Sequence, residues 1–496
     1  MAESAFDVVV IGSGPNGLSA AIALAGNGLS VCVLEAKSRA GGGMRTEELT
    51  LPGFKHDLCS AIHPMGALSP YWLTLPLAEH GLEWCASESS VAHPLDGQNA
   101  VILSRSLEET ARGLGIDERS YRELIRPFLS KGQALMNDLL APLKVPRNPI
   151  LMARFGLHAL RSASGFARSR FETEAARAAF AGCAAHSILP LEWSTTAALG
   201  LIFSLSAHLI DWPTPKGGSE SLARALISYL ESLGGELRLN TKVSSLEELP
   251  KSRFVLFDTS PSQLSSIAGD ALPVAYHRKL SRYLYGPGVF KLDLALSESI
   301  PWQDERVRGA STVHLGGSLE EIADAERAVW RGEHPERPFV LLCQQSEMDS
   351  SRAPQGQHTG YAYCHVPPHS RLDLTEHIER QIERFAPGFR QTILARHTMT
   401  TQDFERHNLN YVGGAITGGA AMVSQLFTRP VARLNPYRTP NPKLYICSAS
   451  SPPGGGVHGM CGYYAARSIL KRLGLSPPPL VDDPRLMTHS TSFVQR

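Results

Sequence analysis

The run Gly12-Ser13-Gly14-Pro15-Asn16-Gly17 restricts what this chain can fold into more than any other stretch. The short apolar segment Phe6–Ile11 before it predicts a buried parallel strand. The Ala/Leu-rich segment from Gly17 to about Asn27 predicts a helix, with Gly28 as its stop. Leu29–Leu34 predicts a second strand, closed by Glu35. Strand, glycine turn, helix, strand and acid in that order make one βαβ unit. Gly12 permits the tight turn, Gly14 lets backbone approach a pyrophosphate, and Gly17 lets the helix pack closely on the strand. Pro15 and Asn16 complete the turn, where a helix N-terminus offers unpaired amides and a positive dipole end to phosphates. Glu35, followed by Ala36, stands where an acid accepts hydrogen bonds from a ribose diol and disfavours a 2′-phosphate. The implied ligand is a dinucleotide.

The next segment chooses between dinucleotides. Gly41-Gly42-Gly43-Met44-Arg45-Thr46 follows within a few residues of the acid. A glycine loop with an arginine can wrap a ribityl diphosphate and set a cation against its charge. A nicotinamide dehydrogenase needs no such second wrap, so the expected cofactor is FAD, held non-covalently. The plain alternative is a glycine-rich surface loop.

Composition excludes other classes. Lys and Arg number 48 against 47 Asp and Glu, a net charge of +1, so nothing draws a nucleic acid electrostatically. The eight cysteines form no CxxC pair of ligand spacing, which gives no zinc site and suggests free thiols in a reducing compartment. The N-terminal apolar run follows acidic Glu3 and Asp7 rather than a basic stretch, and reads as a strand, not a signal peptide. No segment approaches the roughly 18 uninterrupted apolar residues of a membrane span. The expected setting is cytoplasmic, with peripheral membrane contact left open. With 496 residues, 43% of them hydrophobic, two or three domains are expected.

Further along, residues 72–215 show a mostly helical pattern broken at Pro127, Pro142, Pro146, Pro149, Pro190 and Pro213. Basic residues recur between Arg147 and Arg177. They suit a solvated helical face or a surface that meets anionic headgroups. A helix is expected near Ser221–Leu233, strands at Glu236–Leu239, Val255–Asp258, 289–296 and Leu444–Cys447, and a last helix over about Gly462–Leu473. The tail after Pro477 reads as loose.

Four short blocks give the chain a resemblance. They are Val10–Gly17, Gly41–Thr46, Pro215-Lys216-Gly217-Gly218-Ser219, and Leu444–Cys447 running on through Pro453-Gly454-Gly455-Gly456-Val457-His458-Gly459-Met460. On these the chain resembles the flavin-dependent amine oxidase superfamily, in its phytoene desaturase and carotenoid isomerase-like branch. The resemblance implies that the backbone of Val243 meets the adenine. It also implies that Gly455, Gly456, Val457, His458 and Met460 lie along the isoalloxazine. A helix start there stabilises negative charge on reduced flavin. The stretch from Val243 to Phe254 is shorter than in carotenoid desaturases, which commonly insert a β-hairpin, so close equivalence with them is not implied.

Candidate chemistry follows the resemblance. Lys291, in an otherwise apolar strand, resembles the amine-oxidase lysine that reaches flavin N5 through a water; the other reading turns it to solvent from a half-exposed strand. Tyr463 resembles one wall of the aromatic cage before the flavin, or is helix packing. His458 and His63 are candidates to touch the ring or line the pocket, or are satisfied structural histidines. Trp193 and Trp212 are apolar fill or cavity walls. No Ser-His-Asp arrangement or metal site is suggested.

The expected fold is therefore α/β. A Rossmann-type, three-layer FAD domain with a parallel central sheet is drawn from residues 1–70, 214–265 and 436–475. A mixed α+β substrate domain is drawn from 71–213 and 266–435, with a loose tail at 476–496. The expected reaction is oxidation (desaturation) of a hydrophobic substrate by hydride transfer to flavin N5. A single dinucleotide motif points to oxygen or a quinone as the acceptor. The alternatives are amine oxidation, redox-neutral double-bond isomerisation, or a flavin-binding partner protein without turnover.

Overall fold

The structure, a computed structural model, describes residues 6–481 and the backbone of 493–494. Its first sheet has five parallel strands in the order Leu444–Ile446, Ser252–Phe257, Phe6–Ile11, Val31–Leu34, Glu236–Arg238. Alternate residues of these strands serve two cores. Val8, Val10 and Val33 pack under the helices Pro15–Ala25, Ser219–Ser232 and Met460–Arg472. Val9, Ile11, Leu34, Val255 and Phe257 pack on the other side with Leu264, Ile267 and Leu280 from the helices Pro261–Ala268 and Val274–Leu280. Both faces are covered, so the strands read as continuous apolar runs instead of alternating ones. This is the expected three-layer arrangement.

The second sheet is mixed and has seven strands. Their order is Ile393–Met399, Gly288–Leu296, His358–Val366, Val340–Cys343, Ala310–Leu315, Ser89–Leu95, Gln98–Leu103. Ala310–Leu315 pairs with Ser89–Leu95 in parallel; the other pairs are antiparallel. The last two strands form a hairpin inside the stretch expected to be mostly helical. Its signal is Asp96-Gly97, a turn dipeptide between apolar runs, with Gly97 at φ +64°. From Leu107 to Leu209 the chain is helical as expected. Pro127, however, lies inside the helix Glu118–Leu129 and does not end it, whereas Pro149 opens the helix Pro149–Ala159.

The start of the tail also departs from expectation. The Val481 N–H donates to the Pro70 carbonyl at 3.0 Å, and the Pro478 carbonyl accepts from the Tyr463 hydroxyl at 2.7 Å. Residues 478–481 are thus fastened to the body. Apart from the backbone of 493–494, the remainder of that tail lies outside the described residues.

Candidate active site

A cavity of about 580 Å³ opens at the C-terminal ends of the parallel strands and runs to the second sheet. That edge is where open α/β sheets bind ligands. Of the residues singled out in the sequence, Gly12, Gly14, Pro15, Asn16, Glu35, Ala36, Gly42, Gly43, Arg45, Val243, Gly456, Val457 and His63 line it. Six others do not. Gly17 and Met44 are buried behind the wall, and Gly455 is exposed beside it. His458, Met460 and Tyr463 belong to the packing of the last helix.

The glycines do what the spacing requires. A Cβ on Gly17 would sit 2.2 Å from the Gly12 carbonyl oxygen. Gly42, at φ +59°, brings its backbone so near the first turn that a Cβ would lie 2.9 Å from the Gly14 Cα. The two glycine loops therefore touch and form one cradle. Glu35 is held in place at its rim: Oε2 accepts from the Ser13 hydroxyl at 2.5 Å, and Oε1 accepts from the Lys37 N–H at 2.9 Å and from Arg45 at 3.2 Å.

Asp258 was not singled out from the sequence. It ends the strand Ser252–Phe257 and accepts the Gly17 N–H at 2.9 Å, so one of the amides expected to face phosphates is already taken. Burial, and secondarily the charge of Glu35, push its carboxyl up to about 7. His63 also lines the wall. Its Nε2 is 2.8 Å from the Ser219 hydroxyl, and burial pushes it down to about 4, which keeps it neutral. The Pro215–Ser219 block thus positions a cavity histidine and the helix behind it.

Three expectations about chemistry change. Tyr463 is not a cage wall: its ring lies 4.8 Å from that of Tyr71 in the core. His458 is a helix cap, its Nδ1 accepting the Met460 N–H at 3.0 Å, while its carbonyl accepts from Ser69. Lys291 is fully buried, so it does not reach solvent, but it does not line the cavity either. Its Nζ donates to both Asp293 oxygens at 2.5 Å and lies 4.5 Å from the centroid of the Tyr361 ring. Burial raises the Asp293 carboxyl, but Lys291, His397 and His56 outweigh it and hold the group below its usual range.

The aromatic wall comes from elsewhere. Tyr361 and Tyr363 project from one face of the strand His358–Val366, two residues apart, and Phe203 packs 5.2 Å from Trp212. With Leu341, Thr312, Cys343 and His186 they enclose the far end of the cavity. The alternation Tyr-Ala-Tyr was the available signal. Trp212 lines the wall, the second of the two readings its sequence position left open; Trp193 instead packs against Trp330 with ring centroids 4.9 Å apart, away from the cavity. Tyr411, whose hydroxyl is 2.7 Å from where a Cβ of Gly43 would be, joins the wall nearer the glycine cradle.

The residues present fit a flavin dinucleotide. A glycine cradle with an acid at its rim leads into an aromatic chamber. The buried Nε of Arg45 and Oδ1 of Asn16 have no hydrogen-bond partner, leaving polar atoms for a ligand at the cradle. Residues 16–470 match the flavin-containing amine oxidoreductase family.

The chain belongs to that family.

This family member is accordingly an FAD-dependent oxidoreductase. It is 24% identical to pyridine nucleotide-disulfide oxidoreductase domain-containing protein 2 of Rattus norvegicus, over 94% of each chain. It is 26% identical to phytoene desaturase (lycopene-forming) of Pantoea ananas, over 91% of this chain and 96% of that one. Among solved structures, an oxidoreductase from Methanosarcina mazei shares the fold with a TM-score of 0.64 at 17% identity, covering 94% of this chain and 99% of that one. Cyclohexylamine oxidase from Brevibacterium oxydans does so with a TM-score of 0.56 at 16% identity, covering 95% and 99%. No helix among the described residues is long and apolar enough to cross a membrane.

Proposed function

We propose that this oxidoreductase desaturates a hydrophobic, uncharged substrate, in the manner of a phytoene desaturase. Bound FAD supplies a two-electron acceptor at its N5. The chain's own residues supply the rest. The cradle of Gly12–Asn16 and Gly42–Arg45 would hold the diphosphate, Glu35 the ribose, and Val243 the adenine. Gly456 and Val457 would bound the flavin ring.

One observation carries the substrate class: among the described residues, the chamber beyond the cradle has no carboxylate on its wall. Glu35 and Asp258 are the acids that line the cavity, and both stand at the glycine end. A cationic amine taken from water into such a chamber would lack a counter-charge. Aromatic faces can receive a cation, but the Tyr361 ring already carries Lys291 at 4.5 Å. That ammonium opposes a second one at the same ring. A polyene or isoprenoid chain meets no such penalty and buries apolar surface against Phe203, Trp212 and Leu341. His186, kept neutral because burial pushes it down to about 3, offers a hydrogen-bonding nitrogen to an otherwise apolar wall. It is itself held at 3.0 Å by His314.

The similarity to phytoene desaturase supports this reading, and the family's name keeps amine oxidation as the second. Oxygen or a quinone would receive the electrons, since the chain has one dinucleotide motif. Anaerobic mixing with detergent-dispersed isoprenoids and, separately, with a panel of alkyl amines tests the proposal. Isoprenoids should bleach the flavin and give a product lighter by two hydrogens. Bleaching by amines alone refutes it. A product of unchanged mass assigns the chain to isomerisation instead.

A further inference from the structure

We propose that the segment 143–161 is a docking face for an anionic lipid surface. The helix Pro149–Ala159 turns Phe155 and Ala159 inward, yet its outward face carries Ile150 at 88% exposure and Leu157 at 74%. These two are seven residues apart, two helical turns, and so project side by side. Leu143 at 81% and Val145 at 87% extend the apolar surface in the loop before the helix, and Leu160 in the turn after it. Single exposed leucines need no explanation, but a cluster of protruding aliphatic side chains does.

Charge names the occupant. From Leu139 to Phe171 the chain carries no Asp or Glu, while Arg154 and Arg161 stand among the aliphatic residues. Both are exposed, and neither forms an ion pair with a carboxylate among the described residues; Arg161 donates to the Gly165 carbonyl at 3.2 Å and the Ser169 hydroxyl at 2.8 Å, so its charge is held in place and not neutralised. A protein partner could be of either charge; an apolar ridge set with arginines that have no carboxylate partner matches the headgroup and acyl boundary of an anionic bilayer. The position suits the chamber as well. The helix Pro149–Ala159 packs on Thr196–Leu209, whose Phe203 lines the cavity. A lipid surface docked there lies one helix away from the aromatic wall, on the side from which an apolar substrate would come. The docking does not depend on the substrate assignment, because it is read with vesicles alone.

The test is co-sedimentation of the purified, flavin-loaded enzyme with vesicles of phosphatidylcholine, and with an equimolar mixture of phosphatidylcholine and phosphatidylglycerol. The enzyme should pellet with the mixture, release at high salt, and pellet weakly with phosphatidylcholine alone. Ile150→Gln/Leu157→Gln should weaken binding roughly tenfold or more, with an unchanged flavin spectrum. Leu143→Gln/Val145→Gln, in the loop, should do the same without touching the helix, and Arg154→Gln should weaken binding only to the anionic vesicles. The proposal is overturned if the enzyme ignores both vesicle types, if both double variants pellet like the wild type, or if light scattering shows a dimer that these variants dissociate.

Discussion

Asp258 places a carboxyl beside the first glycine turn and gives it a folded-state value of about 7, above the ordinary carboxylate range, with burial the main cause. Between about pH 4 and pH 7 the native chain holds a proton that the unfolded chain has released. Stability contributed by this group is therefore greatest below that window and declines as pH rises through it. Asp258→Asn removes the dependence. Thermal melts of the flavin-free wild type and variant should coincide in slope above pH 8, and diverge between pH 5 and 7 as only the wild type loses stability. Lys291 makes the opposite case, a charge that is matched. Lys291→Met leaves Asp293 buried without its cation and should cost about 3–5 kcal/mol in urea unfolding, with part recovered in Lys291→Met/Asp293→Leu. The sequence displayed Lys291 as anomalous, and the alternation Phe290-Lys291-Leu292-Asp293-Leu294 puts Asp293 on the same face of the strand. What it did not show is that both faces of this strand are buried, which turns that pair into an ion pair without access to water.

The local elements were the most legible part. Turn, strand and helix around Gly12 are written in contiguous residues, and the structure gives the helix as Pro15–Ala25 and the second strand as Val31–Leu34. The helix Ser219–Ser232 and the strand Ser252–Phe257 lie within a few residues of their expected bounds. The hairpin at Ser89–Leu103 was hidden by a wider helical pattern, although Asp96-Gly97 marks its turn. The aromatic chamber could not be read at all as a unit, since Phe203, Trp212, Tyr361 and Tyr363 meet only after the second sheet forms. Gly42 connects element to ligand. Gly42→Ala requires a strained φ and displaces the Gly14 backbone, so FAD affinity, measured by quenching of flavin fluorescence, should fall by about tenfold or more. The helix itself should remain, as read by circular dichroism.

At the scale of the molecule, distant segments are tied by Asp57 and Arg352, which pair at 2.6 Å with no exposure on either side chain. Asp57 also accepts the Ser219 N–H at 2.8 Å and the Thr46 hydroxyl at 2.8 Å. One carboxylate thus joins the second glycine loop, the helix at 219 and the second sheet's neighbourhood. Arg352→Met should destabilise the chain by about 3–5 kcal/mol in urea, because Asp57 stays buried without its cation. Added FAD should offset part of that loss by mass action, raising the melting temperature of the variant in a concentration-dependent way. Nothing in the sequence links positions 295 residues apart, so this tie was invisible before the fold was known.

The parallel sheet under the glycine cradle takes its edge strand, Leu444–Ile446, from near the other end of the chain, as it does the helix Met460–Arg472 that packs beside the first helix. On the ribosome, the strand that carries Gly12 is synthesised long before either. The nascent polypeptide therefore waits with a half-built nucleotide pocket while the intervening residues are translated, and colour is expected only after the helix Met460–Arg472 has cleared the exit tunnel.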